Sequence, residues 1–259
     1  MRPTNRRQIL GATMAAAAMV IGGCSGTDST HSTGADTEVV PVSDTDPEVV
    51  MGGADTAAAA TSTSAGTDIE NQSSHFDTED LAYDESDVVG VSLDGTSAAA
   101  DSNDVAIDGT TVVIGAGGTY SLSGTLADGE VIVDAGDDDV TVILDGVDIT
   151  NADGAALAIM NADDAIVLLA DGSTNSLTDG ATYSFPAAGI DEPNAALYSS
   201  ADLTIAGDGE LIVVAEYNDG ITSKDGLVFY AGDISVMAAD DGIRGKDYVI
   251  IEGGTITVE

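Results

Sequence analysis

The feature that most constrains this chain is a segment written twice. NDGITSKDGLVFYAGDISVMAA starts at Asn218, and DDGIRGKDYVIIEGGTITVE starts at Asp240, 22 positions later. Asp219, Gly220, Ile221, Lys224 and Asp225 recur as Asp241, Gly242, Ile243, Lys246 and Asp247. Apolar positions recur too: Leu227 as Val249, Phe229 as Ile251, Ile234 as Ile256 and Val236 as Val258. A unit this short, made of β-rich runs between Gly/Asp turns, cannot bury its own apolar face and must stack on its neighbours. The expectation is a solenoid with one copy per coil.

A fainter copy lies upstream. Asn194-Ala195-Ala196-Leu197 aligns with Asn218 onward, and Asp202-Leu203-Thr204-Ile205 with Gly226 onward, both at an offset of 24. Because strand side chains alternate in facing, the copies point Leu203, Leu227 and Val249 inward, with Ile205, Phe229 and Ile251. Asp202, Gly226 and Tyr248 then point outward. Each coil offers three strands, around Ile221, at Leu227 to Phe229 and at Ile234 to Val236. That is the coil of a right-handed parallel β-helix. The strict six-residue period of a left-handed hexapeptide helix is absent, and so is the GGxGxDxUx of calcium-binding rolls. Short runs such as Thr111-Val112-Val113-Ile114 and Val140-Thr141-Val142-Ile143-Leu144 carry the pattern upstream with almost no helical period. The region from about Val88 therefore reads as all-β. Glu259 follows a strand without a polar cap, so further coils are expected beyond it.

The N-terminal third reads differently. Arg6 and Arg7 precede an apolar run to Ile21, too short to span a bilayer as a mature helix, and Gly22-Gly23-Cys24 follows. Ile-Gly-Gly-Cys resembles a bacterial lipobox, which implies cleavage before Cys24, the only cysteine, and its lipidation. The paired arginines also resemble a twin-arginine export signal. From Ser25 to about Asp87 the chain is Ser, Thr, Gly, Ala and Asp with few large apolar residues, a composition that cannot offset its ordering entropy. The expected organisation is a signal peptide over 1–23, a disordered stalk over 24–87 and a β-helix domain over 88–259. The expected location is the cell surface, as an exported, monomeric lipoprotein that meets the membrane through its lipid alone.

There are 46 acidic residues against six basic ones, three of which lie in the first seven positions. A surface this acidic repels nucleic acid and anionic lipid. The other cations, Lys224, Arg244 and Lys246, all fall in the doubled segment. Both histidines, His31 and His75, fall with Cys24 before the assigned domain. Its inventory therefore has no Cys/His dyad, Ser-His-Asp triad or His/Cys zinc site.

The string from Ala201 to Leu227, continuing through DDGIRGKDYVIIEGGTITV, resembles the bacterial extracellular carbohydrate-binding β-helix family. GTYSLSGTL from Gly118, VTVILDGVDIT from Val140 and NSLTDG from Asn175 fit it as well. The resemblance covers roughly Ser102 to Glu259. It implies a pectate-lyase-like fold, bound calcium, and binding rather than cleavage of plant-type polysaccharides such as cellulose and polygalacturonate.

The residues themselves also point toward a metal. Parallel stacking would set Asn218, Asp219 and Asp225 over Asp240, Asp241 and Asp247 about 4.8 Å apart. Two carboxylates at that distance repel by about 1 kcal/mol in water and about 3.5 kcal/mol at an effective dielectric of 20. Calcium, a hard cation with flexible oxygen coordination, would relieve this at these six residues. A second reading has Asp and Asn serving as turn residues, with lysines as counter-ions. The run Asp137-Asp138-Asp139 is a weaker calcium candidate or a solvated turn. Lys224, Arg244 and Lys246 could meet an acidic sugar or neutralise the aspartate ladders. Tyr217 and Tyr248, with Tyr230, could form an outward strip for sugar rings or be ordinary surface tyrosines. An insertion from about Asp179 to Pro193, carrying Tyr183 and Phe185, could carry binding or pack against the coil.

The function these features support is non-catalytic, calcium-dependent binding of plant-type or acidic polysaccharide. The first alternative is a calcium-dependent polysaccharide lyase with Arg244 as its base. The second is a structural surface protein or adhesin.

Overall fold

The computed structural model describes residues 74–185, 187 and 189–259. The expected signal peptide, Cys24 and most of the stalk lie outside the described residues. Within them the chain is all-β, without an α-helix, and its parallel strands curl around one apolar core.

The strands fall into three parallel ladders. The first stacks the beginning of Val140–Thr150, then Asp164–Leu169, Asp202–Gly207, Gly226–Phe229 and Tyr248–Ile251. The second stacks the end of Val140–Thr150, then Thr174–Thr178, Glu210–Ala215, Asp233–Ala238 and Thr255–Val258. The third runs through Thr111–Ile114, Glu130–Asp134, Leu157–Asn161, Ala195–Ser199, Asp219–Ser223 and Ile243–Gly245. Every pass of the chain adds one rung to each.

The first two ladders form one sheet because the Val140–Thr150 strand serves both. Its corner is at Gly146, whose φ of 76° needs no Cβ. The buried Asn175 closes that corner. Its Oδ1 accepts from Gly146 N at 2.9 Å and Val147 N at 3.1 Å, and its Nδ2 donates to Glu210 O at 3.0 Å. One amide thereby satisfies backbone groups on two rungs that the bend removes from the ladder.

The register follows the repeat. Ile221 lies beside Ile243, Leu227 beside Val249, and Ile234 beside Ile256. Leu203, Ile205, Leu227 and Phe229 are fully buried, as their inward positions require. Val249 and Ile251, at equivalent positions, are 41% and 60% exposed because no further rung covers them here. The opposite end is closed by antiparallel returns. Val89–Gly95 folds back on Ala98–Ala100, and Val105–Asp108 on Thr111–Ile114.

One boundary moves. Residues 74–87, assigned by composition to the stalk, lie against the first ladder and form two short 3₁₀ turns, Thr78–Leu81 and Glu85–Asp87. His75 therefore belongs to the folded part, contrary to the inventory that left the domain without histidine. Composition could not reveal this, because two side chains hold the segment: His75 on Tyr248 and Phe76 on Tyr230.

Candidate functional site: the doubled turn and the aromatic groove

The six proposed metal ligands divide by position. Asp219 is fully buried. Its carboxylate accepts from Asn218 Nδ2 at 2.9 Å, Thr222 Oγ1 at 3.0 Å, Asp241 N at 3.4 Å and Arg244 Nη1 at 3.4 Å. Both oxygens are thus committed to protein donors, and Asn218 is turned away as a donor. This turn does not fit a calcium ion; it fits a capped bend with an arginine counter-ion. Asp240 and Asp241 are exposed. Asp225 and Asp247 stack as expected. Burial, then Asp202, then a hydrogen bond with Asp247 push the Asp225 carboxyl above the usual carboxylate range, against a lowering by Lys246. A hard cation would relieve that crowding. Among the described residues, however, no three acidic, histidine or cysteine side chains converge as a metal site.

The three cations are occupied close to home. Lys224 pairs with Glu192, which holds that carboxyl below its ordinary range, and Arg244 pairs with Asp219. Lys246 acts on Asp225. Lys224 and Arg244 both act on Glu192, and the register sets Lys246 beside Lys224, but none of the three lines the groove bordered by Tyr183 and Phe185. Tyr217 and Tyr248 also separate: Tyr217 stacks on Tyr183 of the insertion, whereas Tyr248 contacts His75 on the first ladder.

The insertion helps build a wide concavity. Tyr183 and Tyr217 stack with centroids 4.3 Å apart, and Phe185 meets them at 6.0 and 6.3 Å. The cluster is fixed from below by Asp179, which is 2% exposed. Asp179 accepts from the Tyr183 hydroxyl at 2.7 Å and from Glu216 N. Burial pushes the Asp179 carboxyl up, and burial with the Asp179 contact pushes the Tyr183 phenol up as well. Tyr183 and Phe185 then form one wall of a groove of about 540 Å³. Thr111, Glu130, Asn151 and Asp153 line it as well. Burial raises the Glu130 carboxyl, an effect opposed by a hydrogen bond from Thr111 and added to by Asp153. A groove lined by aromatic rings together with hydroxyl, amide and carboxylate groups can take both the apolar ring face and the hydroxyl groups of a sugar.

A family model for carbohydrate-binding domain-containing proteins matches residues 108–259. The chain belongs to this family. A carbohydrate-binding domain-containing protein of Acetivibrio thermocellus is 42% identical over 122 residues, which is 47% of this chain and 43% of that protein. The match thus spans less than half of the relative's length. A solved structure described as a polysaccharide lyase-like protein from C. thermocellum, in a gadolinium derivative, superposes with a TM-score of 0.60 and 32% identity. That superposition covers 66% of this chain and 81% of the other. The resemblance to the carbohydrate-binding family therefore holds. Asp179 belongs to the NSLTDG motif and opens the insertion, whereas Glu130 and Asp153 lie in no repeat and carry no motif.

Proposed function

We propose that the chain is a non-catalytic polysaccharide-binding protein. Its ladders form a right-handed parallel β-helix that serves as a rigid frame for the Tyr183–Phe185 groove. The observation that carries this is the groove's composition: the aromatic rings of Tyr183 and Phe185 line it together with neutral and carboxylate hydrogen-bonding groups. The family membership supports the same reading. With the lipobox at Cys24, the protein would be exported and held at the cell surface, facing plant-type polysaccharide as a monomer.

Acidic glycans need a further component. Asp128, Glu130 and Asp153 line the groove, which no lysine or arginine joins, so a polyuronate would meet repulsion unless calcium bridged it. Asp225 and Asp247 are the residues proposed to hold a structural calcium, with Asp202 nearby. A glycan array with and without calcium tests the proposal. Binding that is lost in Tyr183→Ala and Phe185→Ala supports it. No binding to any glycan by a folded protein overturns it and leaves the structural-spacer reading. A melting temperature unchanged by chelator removes calcium from the account.

The lyase reading rests on Arg244, the single arginine after residue 7. Its guanidinium is engaged with buried Asp219, and a base acting on a uronate needs companion cations that the groove lacks. Formation of an ultraviolet-absorbing unsaturated uronate, lost in Arg244→Ala, would reverse this choice.

A further inference from the structure

Residues 74–87 form a strap across the outward side of the first ladder. They include six acids (Asp77, Glu79, Asp80, Asp84, Glu85 and Asp87) and no lysine or arginine. The face beneath is acidic as well: Asp139, Asp164 and Asp202 occupy successive rungs. Like charge therefore opposes docking. Among the described residues, every long-range hydrogen bond of the strap comes from His75. Its backbone N–H donates to Tyr248 Oη at 3.0 Å, Nδ1 lies 2.7 Å from Tyr248 Oη and 3.1 Å from Asp202 Oδ1, and Nε2 lies 2.9 Å from Thr204 Oγ1. Phe76 adds one ring contact, to Tyr230 at 4.9 Å.

What the two strap rings cover is chemically specific. Tyr248 lies over Gly226, where a Cβ would collide with both its ring and the Asp202 carboxylate. The repeat thus leaves a glycine where it makes room for an aromatic ring and a carboxylate to meet. Tyr230 lies four strand positions along from the Gly226–Tyr248 pair, about 13 Å away in an extended strand. Between and beside them are Asp202 and Thr204, and a small cavity of about 110 Å³ reaching Thr141, Asp164 and Ile166. Two tyrosine faces spaced along a strand, flanked by hydroxyl and carboxylate acceptors, suit an oligosaccharide rather than a single sugar.

We infer that the strap is an occluding element: His75 and Phe76 fill a second carbohydrate subsite on Tyr248 and Tyr230, which opens when the strap is displaced. This rests on the carbohydrate-binding reading but not on the Tyr183–Phe185 groove. The strap's hydrogen bonds and ring contacts go to Tyr248, Thr204 and Tyr230, none of which lines that groove, so the two sites can be altered by different substitutions.

The test uses the full chain with the groove silenced by Tyr183→Ala and Phe185→Ala, and cellohexaose as probe. Hydrogen exchange over residues 74–87 reports strap opening, and calorimetry reports binding. Strap release by His75→Ala with Phe76→Ala, or by His75→Glu, which adds repulsion without touching the ladder, is expected to speed exchange in the strap and strengthen binding at least tenfold. Tyr248→Ala added to the released chain should abolish that gain. Faster exchange without gained binding, or a gain that survives Tyr248→Ala, overturns the subsite. Unchanged exchange in both release variants overturns the latch. Failure of the groove reading looks different: the groove substitutions would leave wild-type binding intact, while the response to strap release would still be read.

Discussion

Asp219 and Asp241 hold the same place in successive copies of one turn, yet Asp219 is fully buried and Asp241 is exposed. The same contrast runs through the strands that follow: Leu227 and Phe229 are fully buried, while Val249 and Ile251 are 41% and 60% exposed. The residues are nearly alike; their neighbours are not. The inner copy has a rung on each side, and the outer copy has one on a single side. In a stacked fold burial belongs to the interface between units, so a motif acquires its energy from its place in the stack. It acquires its chemistry there too. Asp219 becomes an arginine-paired cap because Arg244, from the next copy, reaches back to it.

The largest test of this contrast is in the core. Leu227→Ala should cost about 2–5 kcal/mol through lost contacts and a residual cavity, whereas Val249→Ala should cost no more than about 1 kcal/mol. Denaturant melts of the two variants measure the difference; equal losses would mean that the outer rung is packed as firmly as the inner. Next come the turns. Asp219→Ala strands the hydrogen-bond donors of Asn218, Thr222 and Arg244 and should cost about 2–3 kcal/mol, against about 0.5 kcal/mol for Asp241→Ala. Gly226→Ala forces a methyl group under the Tyr248 ring and should cost about 1–3 kcal/mol. Its more telling result would be faster exchange in residues 74–87, since His75 binds through Tyr248.

The smallest effect concerns pH. The Asp225 carboxyl is raised by burial, Asp202 and Asp247, so the native state holds that proton more tightly than the unfolded chain does. Its contribution to stability is present at acid pH and is lost as pH rises from the ordinary carboxylate range through the raised value. Asp225→Asn should flatten this part of the melting profile at low salt. A profile that is equally steep in the variant would show that Asp225 is not the group responsible.

Much of the frame was legible in the residues. The 22-residue offset gave the pairing of Ile221 with Ile243 and of Leu227 with Val249, because in-register stacking is how short repeats bury their apolar positions. The turn acids were legible as turn acids, but their partners were not: Arg244 reaches Asp219 across a rung, and Lys224 reaches Glu192 in an insertion outside the repeat. The groove escaped periodic reasoning for the same cause. Tyr183 and Phe185 come from the insertion, and Glu130 and Asp153 from earlier rungs. The strap escaped because its composition is that of a solvated linker.

The sequence by itself determined the strand period, the inward and outward facing of each position and the excess of negative charge, since these depend on local alternation and on inventory. Only the tertiary structure decided which aspartate is consumed by its neighbours, where aromatic residues gather into a groove, and that a segment of acidic, polar chain lies down on the wall. Those outcomes are set by side chains that are distant in sequence meeting across rungs, and no local pattern records such meetings.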